Sequence, residues 1–97
     1  RLAVIGHVEW TEFLVVDHLP RPGAIGHVLR TLEEPAGGGA VVAVQMARLQ
    51  WQPVQFFTAL AAIRSVEACL KRLKHLVLEV HVAWREAPTR RGLSLVD

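Results

Sequence analysis

The sequence is short of the residue types that mark disulfide-rich, membrane-spanning or highly charged proteins. Its 97 residues include one cysteine, no tyrosine and only 21% charged residues. The single Cys69 excludes a disulfide framework and is typical of a reducing compartment, so we expect a cytoplasmic location. No apolar run is long enough to cross a bilayer, and no signal-peptide pattern is present. We therefore expect no membrane partner.

The nucleophilic and metal-binding side chains are few and scattered. The five histidines never recur at the two-, three- or four-residue spacing of metal ligands, so we expect no metal site. Ser65 and Ser94 lie outside any nucleophile-elbow motif. Burial on an apolar helix face would leave the thiol of Cys69 inert. The residues by themselves indicate no catalytic centre.

The formal net charge of +2 is weak evidence for a nucleic-acid partner. Lys71, Arg72, Lys74 and His75 cluster in the last turns of a predicted helix, where cations complement the helix dipole. No aromatic residue lies among these charges, as a nucleic-acid surface would favour. A solvated helix face is the preferred interpretation, and we expect no nucleic-acid partner.

Apolar residues, in contrast, are abundant. They make up 52% of a chain long enough for a single domain. A domain of this size has much surface for its volume, so part of its apolar surface is expected to stay exposed after folding. Self-association into a homodimer or higher oligomer would cover it.

The hydrophobic pattern predicts strands that alternate with helices. The predicted strands are 2–5, 13–16, 27–33, 53–60, 78–84 and 93–96, and the predicted helices are 40–50 and 63–76. Strands separated by helices favour parallel pairing, and consecutive strands near both ends predict an added antiparallel layer. We expect residues 86–89 to join the last two strands as a hairpin.

The most informative motif is Pro35-Ala36-Gly37-Gly38-Gly39-Ala40 at the entry to the first predicted helix. Glycines allow the backbone to approach a ligand closely, and the first free N–H groups of the helix point toward it. The motif could hold a small hydroxylated or anionic molecule. A flexible strand-to-helix connector without a ligand is an equally good interpretation.

Several segments together resemble the N-terminal portion of the ribokinase-like, or PfkB-family, carbohydrate kinases. They are Leu2-Ala3-Val4-Ile5-Gly6-His7-Val8-Glu9-Trp10, Leu19-Pro20-Arg21-Pro22-Gly23, Gly37 to Gly39, Ala47-Arg48-Leu49 and Phe56-Phe57-Thr58-Ala59-Leu60. The resemblance implies an α/β class and a truncated ribokinase-like fold, with a short parallel core sheet, two helices and a small antiparallel lid sheet. It implies a single domain, 1–97, with core segments at about 1–8 and 36–80 and lid strands at about 9–35 and 78–97.

The resemblance also implies what this chain lacks. The family carries its catalytic aspartate and anion hole in a later Gly-Ala-Gly-Asp type segment, together with the ATP site. The only aspartates here are Asp17 and Asp97, and neither lies in such a segment. We expect no catalytic residue, no cofactor and no enzyme activity for this chain alone. ATP and magnesium would belong to a complete parent kinase.

The sugar-binding motifs of the family are altered. Members that bind pentose usually carry Asn-x-Asp where this chain has Glu9-Trp10-Thr11, and Gly-Gly-Lys-Gly-Ala-Asn where it has 36–41, Ala-Gly-Gly-Gly-Ala-Val. The resemblance therefore gives a weak set of candidate residues for binding a sugar or nucleoside. They are Gly37, Gly38, Gly39, Glu9 and Thr11.

A second set of departures from the family lies at helix ends. Gln50 and Val77 stand where helix C-terminal glycines are expected, and Ile63 and Val66 place apolar groups at a helix start. We interpret the apolar ones as residues that cover surface exposed by truncation, in a fragment that was engineered or selected in the laboratory. Neutral drift in a natural homologue is the alternative.

Two functional hypotheses follow. The preferred one is a non-catalytic, self-assembling fragment of the sugar-binding and lid half of such a kinase, with exposed strand edges at 13–16, 27–33 and 93–96. Its candidate interface residues are Phe13, Val15, Val28, Ile63, Val66 and Trp84. The alternative is a sugar- or nucleoside-binding half that phosphorylates a sugar hydroxyl with ATP when the C-terminal half is present.

Overall fold

The computed structural model describes residues 1–62, 66–76 and 78–97. The elements in chain order are β1 (Ala3–Ile5), β2 (Glu9–Val16), β3 (Val28–Ala36), α1 (Gly38–Gln50), β4 (Val54–Ala61), α2 (Val66–His75), β5 (Leu78–Arg85) and β6 (Arg91–Val96). They form two three-stranded sheets and two helices. The predicted α/β fold class is confirmed.

The core sheet is parallel and has the strand order β1-β4-β5. Its register aligns Val4 with Phe56 and Val80, and residues of this parity face α1 and α2. Phe56 and Leu60 of β4 are fully buried there, together with Leu73 of α2. Both connecting helices lie on this face. The chain moves in one direction across the sheet, from β1 to β4 to β5, and right-handed crossovers that run in one direction place their helices on the same face.

The opposite face of the core sheet is not covered by any element within the described residues. We define this open face by one row of aligned residues, Ile5, Phe57 and His81, with Gln55, Ala59 and Ala83 beside it. Ile5 is 85% exposed, and the Phe57 ring, 38% exposed, stacks on His81 at 4.5 Å between centroids. An apolar surface of this kind on a parallel sheet is unusual, because parallel sheets are normally covered on both faces.

The second sheet, which we call the lid, has the order β3-β2-β6. Strands β2 and β3 pair antiparallel, as expected for a lid hairpin, whereas β6 pairs parallel with β2, so the sheet is mixed. The predicted exposed edge at 13–16 is wrong because β2 is the central strand and is paired on both sides. In this sheet the free edges belong to β3 and β6.

The predicted hairpin between the last two strands is also wrong. Strand β5 ends in the core sheet, whereas β6 lies in the lid. Thr89 in the connection is buried, and its Oγ1 accepts a hydrogen bond of 2.9 Å from the Ala61 N–H at the end of β4. The connection is therefore anchored to the end of β4, and it leads from the core sheet to the lid instead of forming a tight turn.

The left-handed residue after helix α1 lies one position beyond the one that the sequence singled out. Gln50 is its last helical residue, and the left-handed conformation belongs to Trp51, with φ 57° and ψ 28°. A side chain in this conformation costs about 1 kcal/mol, which a glycine at 51 would avoid. The corresponding expectation for Val77 lies outside the described residues.

Candidate functional site

The candidate site lies where the core sheet meets the lid, at the N-terminus of α1. Gly37 is the residue before the helix, with φ 90°, and no side chain caps the first turn. The first intrahelical bond runs from the Val41 N–H to the Gly37 carbonyl, at 3.0 Å. The N–H groups of the residues between them therefore have no partner inside the helix.

The three glycines of this motif have three different roles. A Cβ on Gly39 would lie 2.6 Å from the carbonyl carbon of Gly6, so Gly39 allows the helix to pack against the loop after β1. Gly37 has a positive φ, and a Cβ there would lie 3.0 Å from the Glu9 amide nitrogen. At Gly38 a Cβ would meet only His7, at 3.7 Å. The close approach that Gly39 allows is thus to the protein's own backbone, and Gly38 leaves the helix entrance open.

His7 is a site residue that the sequence interpretation missed. Cβ atoms built on Gly37 and Gly38 would lie 3.0 and 3.7 Å from its imidazole, so the ring lies beside the start of α1. His7 is exposed and follows directly after the Gly6 contact. The only signal in the sequence was its place just after a short apolar segment predicted as a strand, since parallel sheets collect ligand-binding side chains at the ends of their strands.

Glu9 and Thr11 project from the same face of β2, next to Gly92 of β6. A Cβ on Gly92 would collide with Glu9 Oε1 and would lie 2.9 Å from Thr11 Oγ1. The carboxylate and the hydroxyl therefore meet above Gly92. Thr11 is buried and Glu9 is half-buried. Sequence reasoning found both side chains but missed the glycine between them.

The strand on the other side of β2 contributes a second carboxylate, Glu34, directly opposite Thr11. Arg72 of α2 binds it with two hydrogen bonds, from Nε at 2.7 Å and from Nη2 at 2.9 Å. This bidentate contact raises the pKa of Arg72 above its ordinary value and neutralises Glu34. Among the described residues no cation pairs with Glu9, whose carboxylate is the available acceptor.

A shallow cleft of about 390 Å³ opens beside His7 on the open face. Its walls include Phe57 and Ala83, and Arg85 lies at its edge. It lies at the carboxyl ends of the parallel strands, where α/β proteins commonly place ligands. The helix entrance, the Glu9–Thr11 pair and this cleft thus share one end of the core sheet.

Comparison with solved structures gives the architecture a precedent. The structure matches ribokinase from Thermotoga maritima with a TM-score of 0.82 and 24% identity, over 99% of this chain and 32% of that one. The fold is ribokinase-like. Phosphofructokinase-2 from Escherichia coli in complex with fructose-6-phosphate matches with a TM-score of 0.84 and 18% identity, over 98% of this chain and 31% of that one. No protein-family model and no curated protein matches the sequence.

This ribokinase-like chain spans about a third of the length of the structures that it matches. The tetrameric inhibited form of the Escherichia coli phosphofructokinase-2 matches to a similar extent, with a TM-score of 0.83, 18% identity and 31% of that chain covered. The match extends over both the core sheet and the lid, since nearly all of this chain is included. The fold is therefore a truncated one, as expected.

The remaining reactive groups of this ribokinase-like fold lie outside the site. Burial raises the pKa of the Cys69 thiol to about 11, so it is protonated at neutral pH. Asp17, in the lid loop, accepts hydrogen bonds from the backbone N–H groups of His27 and His18, and the bond from His27 is the main cause of its lowered pKa. Within the described residues no group of three or more potential ligands is arranged to hold a metal ion. None of the described helices has the length and apolar character needed to cross a membrane.

The candidate interface residues do not share one surface. Phe13 and Val15 are half-buried on one face of β2, whereas Val28 is exposed and aligns with Val16, beyond the register shift that follows Val15. Trp84 is 56% exposed, at the end of the core sheet. Val66 packs against the chain's own core, and Ile63 lies outside the described residues.

Proposed function

We propose that this chain is the acceptor-binding and lid half of a carbohydrate kinase, which binds a sugar or nucleoside and is not catalytic alone. The observation that carries the proposal is that Glu9, whose backbone packs against Gly37 at the start of α1, also brings its carboxylate to the Thr11 hydroxyl beside Gly92. Three polar groups therefore lie near the junction of core and lid. These are the open helix entrance at Gly38, the carboxylate of Glu9 and the hydroxyl of Thr11. Together they offer N–H donors and oxygen acceptors to a polyhydroxylated ligand.

The same site lacks the groups needed for phosphoryl transfer. That reaction needs a base for the attacking hydroxyl, groups that neutralise the developing charge, and a nucleotide with its metal. Asp17 is held by His18 and His27 in the lid loop, and Asp97 is the last residue. In this proposal ATP and magnesium bind to further sequence, which packs on the open face and supplies the catalytic aspartate.

Ligand titration tests the acceptor site. Calorimetry of the chain with D-ribose, D-fructose and adenosine is expected to show heat above dilution for at least one of them. Glu9→Ala should weaken that binding by about tenfold or more, because buried polar contacts to substrate hydroxyls discriminate strongly. Glu79→Ala, an exposed carboxylate elsewhere on the core sheet, is the matched control and should bind as the parent does. An absence of heat with all three ligands contradicts the proposal.

A second proposal concerns the chain on its own: copies associate through the open face. The exposed row of Ile5, Phe57 and His81 is the supporting observation, since a bare parallel sheet exposes apolar surface that pairing would bury. This keeps self-assembly as a property of the fragment but places it on the core sheet. Further kinase sequence bound to this face would compete with association.

Sedimentation velocity at micromolar concentration tests the association. The parent chain is expected to sediment as a dimer or larger species, and Ile5→Asp should shift it to monomer because it places a charge on the open face. Leu49→Asp is the control, since Leu49 is 75% exposed on α1, away from this face. A monomeric parent, or equal effects of both variants, contradicts association through the open face.

A further inference from the structure

Gly92 has no backbone reason to be glycine. It lies inside β6, and the glycines with positive φ among the described residues are Gly23 and Gly37. Glycine in a strand interior weakens the strand and often marks a place where another group approaches closely. Here the approaching groups are Glu9 Oε1 and Thr11 Oγ1, which occupy the space that a side chain would take.

We propose that Gly92 is a positioning residue that holds the Glu9 carboxylate beside the Thr11 hydroxyl as one acceptor pair for adjacent hydroxyl groups of a ligand. This inference rests on the proposed acceptor site and adds the residue that shapes it. Any side chain at position 92 pushes the Glu9 carboxylate away from Thr11. Thr11 is buried and has little freedom to follow, so the displacement separates the two oxygens.

The chemistry of this pair selects the part of the ligand that it contacts. An ionised carboxylate only accepts hydrogen bonds, whereas the Thr11 hydroxyl can accept or donate one. Because Arg72 already neutralises Glu34 and no described cation pairs with Glu9, a phosphate placed here would meet an uncompensated negative charge. The pair therefore suits an uncharged carbon segment bearing neighbouring hydroxyls.

A double-mutant cycle tests the positioning role. Gly92→Ala is expected to weaken binding of the best ligand among D-ribose, D-fructose and adenosine by about tenfold in the parent chain. In a Glu9→Ala background, where the carboxylate is gone and only the Thr11 hydroxyl remains close to the new Cβ, the same change should weaken binding clearly less, by about threefold or below. Gly26→Ala is the control glycine, since a Cβ there meets neighbours only at ordinary distances of 3.5 Å and more.

Equal losses in both backgrounds would overturn the inference, because Gly92 would then act on the fold and not through Glu9. A readout without ligand separates this inference from the proposed function. The carboxyl ¹³C resonance of Glu9 should move in Gly92→Ala and stay in place in Gly26→Ala. An unmoved resonance overturns the positioning role. A moved resonance in a chain that binds none of the three ligands supports the Gly92–Glu9 contact and contradicts the acceptor function.

Discussion

Gly39→Ala is expected to lower the free energy of unfolding by about 3 kcal/mol or more, in the upper range for overpacked interiors. The added Cβ would lie 2.6 Å from the Gly6 carbonyl carbon, 2.7 Å from its Cα and 2.8 Å from the His7 amide nitrogen. All three are backbone atoms, so no side-chain rotation relieves the clash. Helix α1 would have to move away from β1. Urea unfolding followed by circular dichroism measures the change.

The neighbouring Gly38→Ala is the matched control for that experiment. Its Cβ meets only the edge of the His7 ring at 3.7 Å, and Gly38 is already helical. Alanine should therefore be tolerated and should stabilise the helix by up to about 1 kcal/mol. Similar unfolding curves for the two variants would show that α1 and the loop after β1 are not packed as closely as described.

Phe56→Ala is expected to cost about 3–5 kcal/mol, the range for removing a large aromatic side chain from a core. Phe56 has no exposed surface and lies between the central strand β4 and the two helices. The loss is large compared with the total stability of a small domain, so the variant should be partly unfolded near room temperature. Thermal and urea denaturation both report it.

Phe57→Ala provides the comparison on the adjacent residue. Phe57 points to the open face, is 38% exposed and has the exposed His81 as its stacking partner. In samples dilute enough to be monomeric, its removal should cost about 1 kcal/mol, mainly from the lost stacking contact. A cost for Phe57→Ala as large as that for Phe56→Ala would mean that the open face is covered in solution, and association would then have to be measured before stability is compared.

The fold class could be predicted because the hydrophobic pattern is clearest in the segments that form the buried core. The segment from Val54 to Ala61 is an almost continuous apolar run, as expected for the central strand of a parallel sheet. Helix α2 carries its buried Cys69 and Leu73 on one side and its charges on the other. These local patterns predicted the α/β class, whereas the ribokinase-like architecture was predicted from the resemblance of particular segments to that family.

Sheet membership could not be predicted in the same way. β5 and β6 belong to different sheets because β5 pairs with β4 and β6 pairs with β2, a strand far earlier in the sequence. The polar residues at the start of β2 concealed a central strand, because Glu9, Thr11 and Glu12 do not form the apolar run that marks a buried one. Pairing partners are tertiary information, and the local pattern does not contain them.

The candidate site was partly predictable for a related reason. Glu9, Thr11 and Gly37 were found because they occupy positions of family motifs, and the structure places Gly37 against the Glu9 backbone and Thr11 near the Glu9 carboxylate. Gly92 was missed because a glycine within an alternating segment gives no indication of which side chain fills its space. His7 was missed because a lone histidine carries little information without its neighbours. An engineered or laboratory-selected origin of the apolar departures stays a prediction.

The pairing of β1 with β4 has a consequence for the order in which this chain folds. The two strands are roughly fifty residues apart, and the whole β2–β3 hairpin and α1 lie between them. Closing so long a loop costs conformational entropy, and the three-residue strand β1 forms few contacts that could offset this cost early in folding. The β2–β3 hairpin and the β4–α2–β5 unit should form first, with β1 docking in the last step. Truncating Val4 should then accelerate unfolding and leave the refolding rate almost unchanged.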